Sequence, residues 1–325
     1  MAANAKFSRQ EVPPSNLLGN FGADHGDRRG NYQMVPIGDE RTWSVNIKNG
    51  TVRVRSEDSG IAAIAVDENG TSARALTFIG PGIFKFAIRS GGNGKSGFTD
   101  LVLEDESGNF LDHIHISVKN VQTANYNIVL LSDAVTPPSM VFSPEQARSL
   151  LDKTNEYYLN VTNMLLRRER IQSLSIQRNL SDKNGVLQLD ENKKINESVI
   201  FQSVINAGLG GVDIVYVFTW NIQGAFENII IGKFLDTGFA LDGRTERASE
   251  RNRKGPTMIY INSQSNDINP ANNQVRTAIH ETGHHFGLGH DGQPAFFVMH
   301  EGGKSALAGG RMKQNDIDHV NASGT

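Results

Sequence analysis

The sequence predicts a multidomain chain of two fold classes: an N-terminal all-β sandwich, then a C-terminal α/β (α+β) domain. Three observations point there. At 325 residues and 38% hydrophobic content the chain is long enough for two domains of ordinary size. From about Arg41 to Lys119 seven short runs alternate apolar with polar residues, which is the period of half-buried strands. Beyond Lys119, strand-like runs interleave with apolar residues at helical spacing, as in a sheet covered by helices. The boundaries that follow are an extended arm over 1–37, the sandwich over 38–120 and the α/β domain over 121–325.

A net charge of −3 gives no sign of nucleic-acid or membrane binding. With no cysteine in the chain there is no disulfide framework, no thiolate metal ligand and no cysteine nucleophile. Met1 to Gln10 contains one lysine and one arginine but no apolar core of a signal peptide, and no later run approaches a membrane span. No Sec-type leader is visible. That leaves a cytoplasmic protein, export by a signal-independent route, or a mature form that has lost its leader. Gln10 to Gly38, rich in Pro, Asn, Gly and Asp, reads as arm or linker.

The seven strand runs are Thr42–Lys48, Thr51–Arg55, Ile61–Val66, Ala73–Ile79, Gly82–Arg89, Phe98–Glu104 and Leu111–Val118. Asn49-Gly50 stands between two of them as a two-residue hairpin turn would, and Asn69-Gly70 marks another turn. Gly91 to Gly97 is read as a flexible hairpin loop, since no strand-to-helix transition follows that would make it a phosphate loop. His113 and His115 alternate with Ile114 and Ile116, so both imidazoles leave one face of a strand. They form either a polar stripe or part of a metal site. The segment from Val66 through Gly70 and Gly80 to Phe86 is similar to bacterial immunoglobulin-like modules, which implies an immunoglobulin-like sandwich that binds a protein partner or positions its neighbour.

In the second domain Tyr126–Leu131 reads as a short strand. Ser143 before Pro144 is an N-cap before a proline at the first helical position, and Ala147, Leu150, Leu151, Thr154, Tyr158, Val161 and Leu165 recur at helical spacing. Ile171–Arg178 follows as a strand, Ile195–Ala207 as a helix, Val212–Trp220 as a strand buried on both faces, and Pro256–Asn262 as a further strand. Phe226–Leu235 and Gly238–Leu241 are candidates for an edge strand that takes an extended peptide by strand addition. Arg244–Lys254 reads as a solvated charged loop.

A helix starting at Asn269-Pro270, with Val275, Ile279 and Phe286 on its apolar face, carries the chemistry. Its end reads His280-Glu281-Thr282-Gly283-His284-His285-Phe286-Gly287-Leu288-Gly289-His290-Asp291. Histidines four apart share a face, so His280 and His284 can present ring nitrogens to one ion. His290 cannot lie on that face at helical rise, so the helix must stop, and Gly287 is the residue that tolerates the positive φ of such a stop. Three neutral imidazoles leave a fourth zinc position open, as in catalytic rather than structural sites. Glu281, displaced around the helix, can reach a water at the ion without binding the ion itself, and is the candidate general base.

The pattern HExxHxxGxxH, at His280, Glu281, His284, Gly287 and His290, resembles the metzincin clan of zinc metallopeptidases. Asp291 looks like the adamalysin branch, whereas Gly283 and the Gly287-Leu288 pair look like matrixins, and both branches stay open. The resemblance implies a methionine turn beneath the metal, and Met299 in Phe297-Val298-Met299-His300 stands where that turn would fall. It also implies a mixed, twisted sheet and a terminal helix like that of matrixins at Gln314–Val320. Astacins and serralysins have a tyrosine two residues after that methionine; Glu301 is there instead, and His300 has no spacing that aims it at the metal. The lack of cysteine departs from disulfide-rich secreted adamalysins and excludes the cysteine switch of matrixin pro-segments. Phe21–His25 is similar to the aspartate switch of astacin pro-segments, which would make residues 1–37 inhibitory.

The expected function is a zinc endopeptidase with one catalytic Zn2+ and protein or peptide substrates. Calcium, common in the clan, is not evident: Asp236, Asp242, Asp267 and Asp291 are scattered, without the spacing of a dedicated loop. Two other readings stay open, a binding or adhesion protein with a vestigial metal site and a toxin-like protease effector delivered into another cell.

Overall fold

In the computed structural model the described residues are 3–9, 31–65, 71–91, 94–181, 186–188, 194–223, 243–246, 254–263, 270–290, 299, 312 and 314–323. The fold is mixed α and β, and the chain divides into two compact units that interleave along the sequence. One comprises 1–122, 156–165 and 290–325; the other comprises 123–155 and 166–289. Among the described residues no helix is long and apolar enough to cross a membrane.

The first unit opens with ten strands: β1 (Asn4–Arg9), β2 (Asn31–Pro36), β3 (Glu40–Asn49), β4 (Thr51–Ser56), β5 (Ala62–Ala65), β6 (Ser72–Ala73), β7 (Ala75–Ile79), β8 (Gly82–Ser90), β9 (Gly97–Asp105) and β10 (Phe110–Lys119). They form two five-stranded sheets, β1-β3-β8-β5-β6 and β2-β10-β9-β4-β7. Inward residues of both sheets make one apolar core, with Trp43, Val45 and Ile88 from the first sheet against Val54, Leu103 and Ile116 from the second. Period-2 alternation produces this directly: in β4, Val52 and Val54 are fully buried while Arg53 between them is exposed. Trp43 is fully buried, with Phe7 edge-on at 6.5 Å, and its indole N–H is satisfied by Gln33 Oε1 at 3.1 Å.

The seven runs read from the sequence are all strands here, β6 and β7 sharing one of them. Two further strands lie in the stretch read as an arm. β1 pairs antiparallel with β3, and β2 pairs parallel with β10. β2 escapes a period-2 search because every residue from Tyr32 to Pro36 is buried, which removes the alternation. The hairpin reading of Asn49-Gly50 is also corrected. β3 and β4 belong to different sheets, so Gly50, at φ +82°, turns a corner between layers. Gly91 to Gly97 likewise joins β8 of one sheet to β9 of the other. Asn69-Gly70 and Phe21–His25 lie outside the described residues.

The rest of the chain supplies β11 (Gln122–Asp133), α1 (Pro144–Thr162), β12 (Met164–Ile176), β13 (Val186–Gln188), α2 (Lys194–Asn206), β14 (Ile214–Thr219), β15 (Asn221–Gln223), β16 (Gly243–Glu246), β17 (Thr257–Asn262), α3 (Pro270–His285) and α4 (Gln314–Ala322). Their main sheet has the order β12-β11-β14-β17-β16. β11, β14 and β17 run parallel and β16 runs antiparallel to β17 at the edge, so the sheet is mixed as expected. Every residue of β14 and β17 is buried, which fits central strands covered on both faces. Val215, Val217, Met258 and Tyr260 pack with Ile200 and Val204 of α2; the alternate residues point to the other face, where Phe142, just ahead of α1, stacks on Phe218 at 5.6 Å.

Helix α1 begins as a reciprocal capping box: Gln146 N–H donates to Ser143 Oγ at 3.2 Å and Ser143 N–H to Gln146 Oε1 at 2.8 Å. It ends earlier than its apolar spacing suggests. Asn163 turns left-handed at φ +53° and Leu165 already belongs to β12. The edge strand is β16, which takes in Arg244 to Glu246 of the segment read as a solvated loop; Phe226–Leu235 and Gly238–Leu241 lie outside the described residues.

At the end of β11, Asp133 organises a buried corner. Its carboxylate accepts backbone N–H bonds from Val135, Thr136, Leu180 and Ser181 at 2.6–3.0 Å. Desolvation works to raise its pKa, but the hydrogen bonds from Thr136, Ser181 and Val135 outweigh it and hold the group below the usual carboxylate range. A folded-state pKa below the unfolded one means a stabilisation present above about pH 3.9, the unfolded value, and lost as pH falls through the folded value. Asp133→Asn, which can turn only one oxygen to these donors, should lower unfolding stability by about 1–3 kcal/mol. Urea titrations should show that deficit at neutral pH and its shrinkage in acid; equal stability of the two proteins at pH 7 would contradict the role.

Candidate metal centre

Helix α3 is amphipathic in a way that fixes which face can hold an ion. Val275, Ala278, Ile279, Thr282 and Phe286 are buried, while His280 and His284 are only partly covered. Burying a side chain such as Ile279 contributes about 2 kcal/mol towards seating the helix on the sheet. Three polar side chains of the helix find partners on the neighbouring chain segments. Gln274 Nε2 donates to the carbonyls of Asn262 and Ser263, both at 3.2 Å. The Tyr216 hydroxyl lies 2.6 Å from Thr282 Oγ1, and His285 Nδ1 lies 2.8 Å from Thr257 Oγ1. Tyr216 is fully buried, and desolvation pushes its phenol far above the ordinary tyrosine pKa, so it is a neutral hydroxyl.

The helix stops where the sequence demands. Gly287 adopts φ +89°; its N–H donates to His284 O at 3.0 Å, and Leu288 N–H reaches back to Gly283 O at 3.0 Å. These two bonds and the buried Leu288 side chain are a Schellman turn. The same Leu288 presents its carbonyl to His284 Nδ1 at 2.8 Å. An imidazole whose Nδ1–H is donated there keeps its Nε2 lone pair for an ion, and the ring orientation is fixed.

His280 Nε2 and His284 Nε2 are 3.1 Å apart, with ring planes at 89°. Two ligands on one tetrahedral zinc at the usual bond length stand about 3.3 Å apart. The turn brings in His290, and one nitrogen from each of His280, His284 and His290 lies within 4.8 Å of the others. Among the described residues this is the group of three or more ligand-type side chains able to hold a metal. Three imidazoles, one already oriented by a backbone carbonyl, fit a zinc ion. Glu281 is buried next to His280, about 100° around the helix from it.

Met299 is fully buried; Phe297, Val298, His300 and Glu301 around it lie outside the described residues, as do Asp236, Asp242, Asp267 and Asp291. Among the described residues His113 and His115 join no such group. His115 Nδ1 is 2.6 Å from Asp100 Oδ1, its ring is stacked 5.7 Å from Phe98 and 5.9 Å from Tyr32, and His113 lies beside Phe110. Reading the sequence missed Tyr216, Thr257 and Leu288 as supports of the site. Its one available signal was a pair of polar residues, Thr282 and His285, spaced along the face of the helix that has to be buried.

Residues 145–291 match the model of the family described as Metallo-peptidase family M12B Reprolysin-like. The matched segment runs from the first turn of α1 to one residue past His290, and over it the resemblance to metzincin-clan zinc metallopeptidases holds, with a histidine triad compatible with their zinc site. No curated protein gives a significant match. Among solved structures, similarity extends to a family 123 glycoside hydrolase from Clostridium perfringens, 10% identical over 69% of this chain and 50% of that one, with a TM-score of 0.20. A GH5 xyloglucanase from Bacteroides ovatus is 7% identical over 57% of this chain and 43% of that one, with a TM-score of 0.22. The chain thus spans half or less of the length of either, and likenesses this slight bear on neither fold nor activity.

Because Gly287 and Leu288 both end the helix and aim His284, Gly287→Ala should strain the left-handed turn by about 1 kcal/mol. It should also weaken zinc binding by about tenfold or more. Isothermal titration with zinc reads this directly, and an unchanged affinity would disconnect the turn from the site.

Proposed function

We propose that the chain is a zinc-dependent endopeptidase acting on protein or peptide substrates, with His280, His284 and His290 as metal ligands and Glu281 as general base and acid. The observation that carries this is the convergence of the three imidazole nitrogens within 4.8 Å, inside the segment that matches the reprolysin-like family. Bound zinc would supply a nucleophile from water near neutral pH and polarise the scissile carbonyl.

The chain's own groups do the rest. Leu288 O holds His284 in the tautomer that puts the lone pair on Nε2. The carboxylate of Glu281, on the helix beside the first ligand, takes the proton from the attacking water and returns it to the leaving amine. The partly covered face of α3 receives substrate, and its buried face keeps the ligands in place. The antiparallel edge strand β16 offers backbone groups for an extended peptide to pair with. We read the two-sheet part around Trp43 as an immunoglobulin-like module that engages a protein partner, on the strength of its paired sheets and shared core.

Glu281→Ala should leave zinc stoichiometry at one per chain while peptide hydrolysis falls by at least about 10²–10⁴-fold. Metal analysis alongside cleavage of a peptide library checks both halves. A variant that hydrolyses as fast as the wild type would remove Glu281 from the mechanism, and a wild type that binds zinc but cleaves nothing would favour a vestigial site.

A further inference from the structure

The buried hydroxyl pair behind α3 has a direction. Thr282 Oγ1 lies 2.5 Å from Ala278 O, four residues back, and a carbonyl can only accept, so the threonine's one hydrogen is donated there. The Tyr216 hydroxyl, 2.6 Å from the same oxygen, must therefore be the donor to Thr282. The chain of hydrogen bonds runs Tyr216 to Thr282 to Ala278 O, from the central strand β14 into the backbone of the helix. Tyr216 is held from its other side by Tyr126, edge-on at 5.3 Å, whose own phenol burial raises to about 12.

Thr282 lies two residues from each of His280 and His284, about 200° around the helix from both. It is the point on α3 directly behind the two ligands. Fixing that point fixes the rotation of the helix about its axis, and a ligand nitrogen is sensitive to that rotation. At roughly 6 Å from the axis, a turn of about 20° carries the nitrogen through about 2 Å, the whole length of a Zn–N bond. Packing of Val275, Ile279 and Phe286 and the bonds of Gln274 and His285 also hold the helix, but the Tyr216–Thr282 bond is the one that lies between the two histidines.

We propose that Tyr216 is a positioning residue for the metal centre: through Thr282 it sets the rotation of α3 and so the aim of His280 and His284 at the ion. The catalytic consequence rests on the peptidase reading, whereas the effect on metal binding does not. The contacts of Tyr216 among the described residues are with Thr282 and Tyr126 rather than with His280 or His284.

The test is a double-substitution cycle on the full chain, read by three measurements: zinc affinity against a competing chelator, the visible spectrum of the Co2+-substituted protein, and the melting temperature without metal. Tyr216→Phe keeps the ring against Tyr126 and leaves Thr282 its bond to Ala278 O, so melting should change little. Zinc affinity should nevertheless fall about tenfold, with a shifted Co2+ spectrum. Thr282→Val orphans a buried phenol and should lower both melting temperature and zinc affinity. The pair Tyr216→Phe with Thr282→Val removes both hydroxyls, so melting should recover while zinc affinity stays low.

Recovery of zinc affinity together with melting temperature would show a merely structural hydroxyl pair and overturn the proposal. So would a Tyr216→Phe protein with wild-type affinity and spectrum. With peptide substrate, the expected loss in Tyr216→Phe is in kcat at saturating zinc, with KM unchanged. A wild type inactive on every peptide would fail the peptidase reading while the metal measurements still decide the role of Tyr216.

Discussion

The hydrogen bond between His284 Nδ1 and Leu288 O is the constraint on which the rest of the centre depends. It exists only because the helix ends at Gly287, and the end of the helix is what allows His290 to approach the other two histidines. Leu288 closes the helix with its N–H, fills the turn with its side chain and orients His284 with its carbonyl. A longer helix would keep His280 and His284 together and lose His290; a looser turn would keep the spacing and lose the tautomer.

What the sequence disclosed and what it hid divide along the range of the interactions. His280, His284, His290 and Gly287 lie within eleven residues, so one helix and the glycine turn that ends it place them. The strands from β3 to β10 were legible because each buries one face and alternates. β2 was not, because burial from Tyr32 to Pro36 erases the alternation and its partner β10 lies some eighty residues away. The same holds for Asn49-Gly50: local turn chemistry cannot say whether the strands on either side share a sheet. The early stop of α1 came from Asn163, whose left-handed turn overrode an apolar spacing that continued to Leu165. Tyr216 and Thr257 carry no local signature, since their partners are 66 and 28 residues away.

The first unit shows how little a composition boundary near residue 120 says about packing. Within that unit Arg41 donates to Leu159 O and Asn163 Oδ1, and Gln33 donates to Asn160 O, so strands β2 and β3 satisfy carbonyls at the end of α1 that the helix itself leaves open. Asp318 of α4 accepts from the Tyr32 hydroxyl and from Lys119 Nζ, and Asn321 donates to Asn120 O and Thr162 O. Strand residues near the N-terminus, the last turns of α1 and the C-terminal helix therefore share one set of buried and partly buried polar contacts. Burial of Arg41 works to lower its guanidinium pKa, against the support of Asp39, and its backbone acceptors are what make such a buried cation tolerable.

A chain with no cysteine has no covalent means of fixing its elements, and the positions that matter most here are held instead by buried hydrogen bonds. Hydrophobic burial supplies most of the free energy but tolerates sliding and rotation, because it depends on area rather than direction. A hydrogen bond between buried groups fails within a few tenths of an ångström beyond its limit, and the group left unsatisfied then costs about 1–3 kcal/mol. Gln274, Thr282 and His285 place such bonds along one side of α3, from its first half to its last residue. Apolar packing explains why the helix lies on the sheet; these three contacts explain why it lies there in one orientation, which is the orientation that turns His280 and His284 outward together.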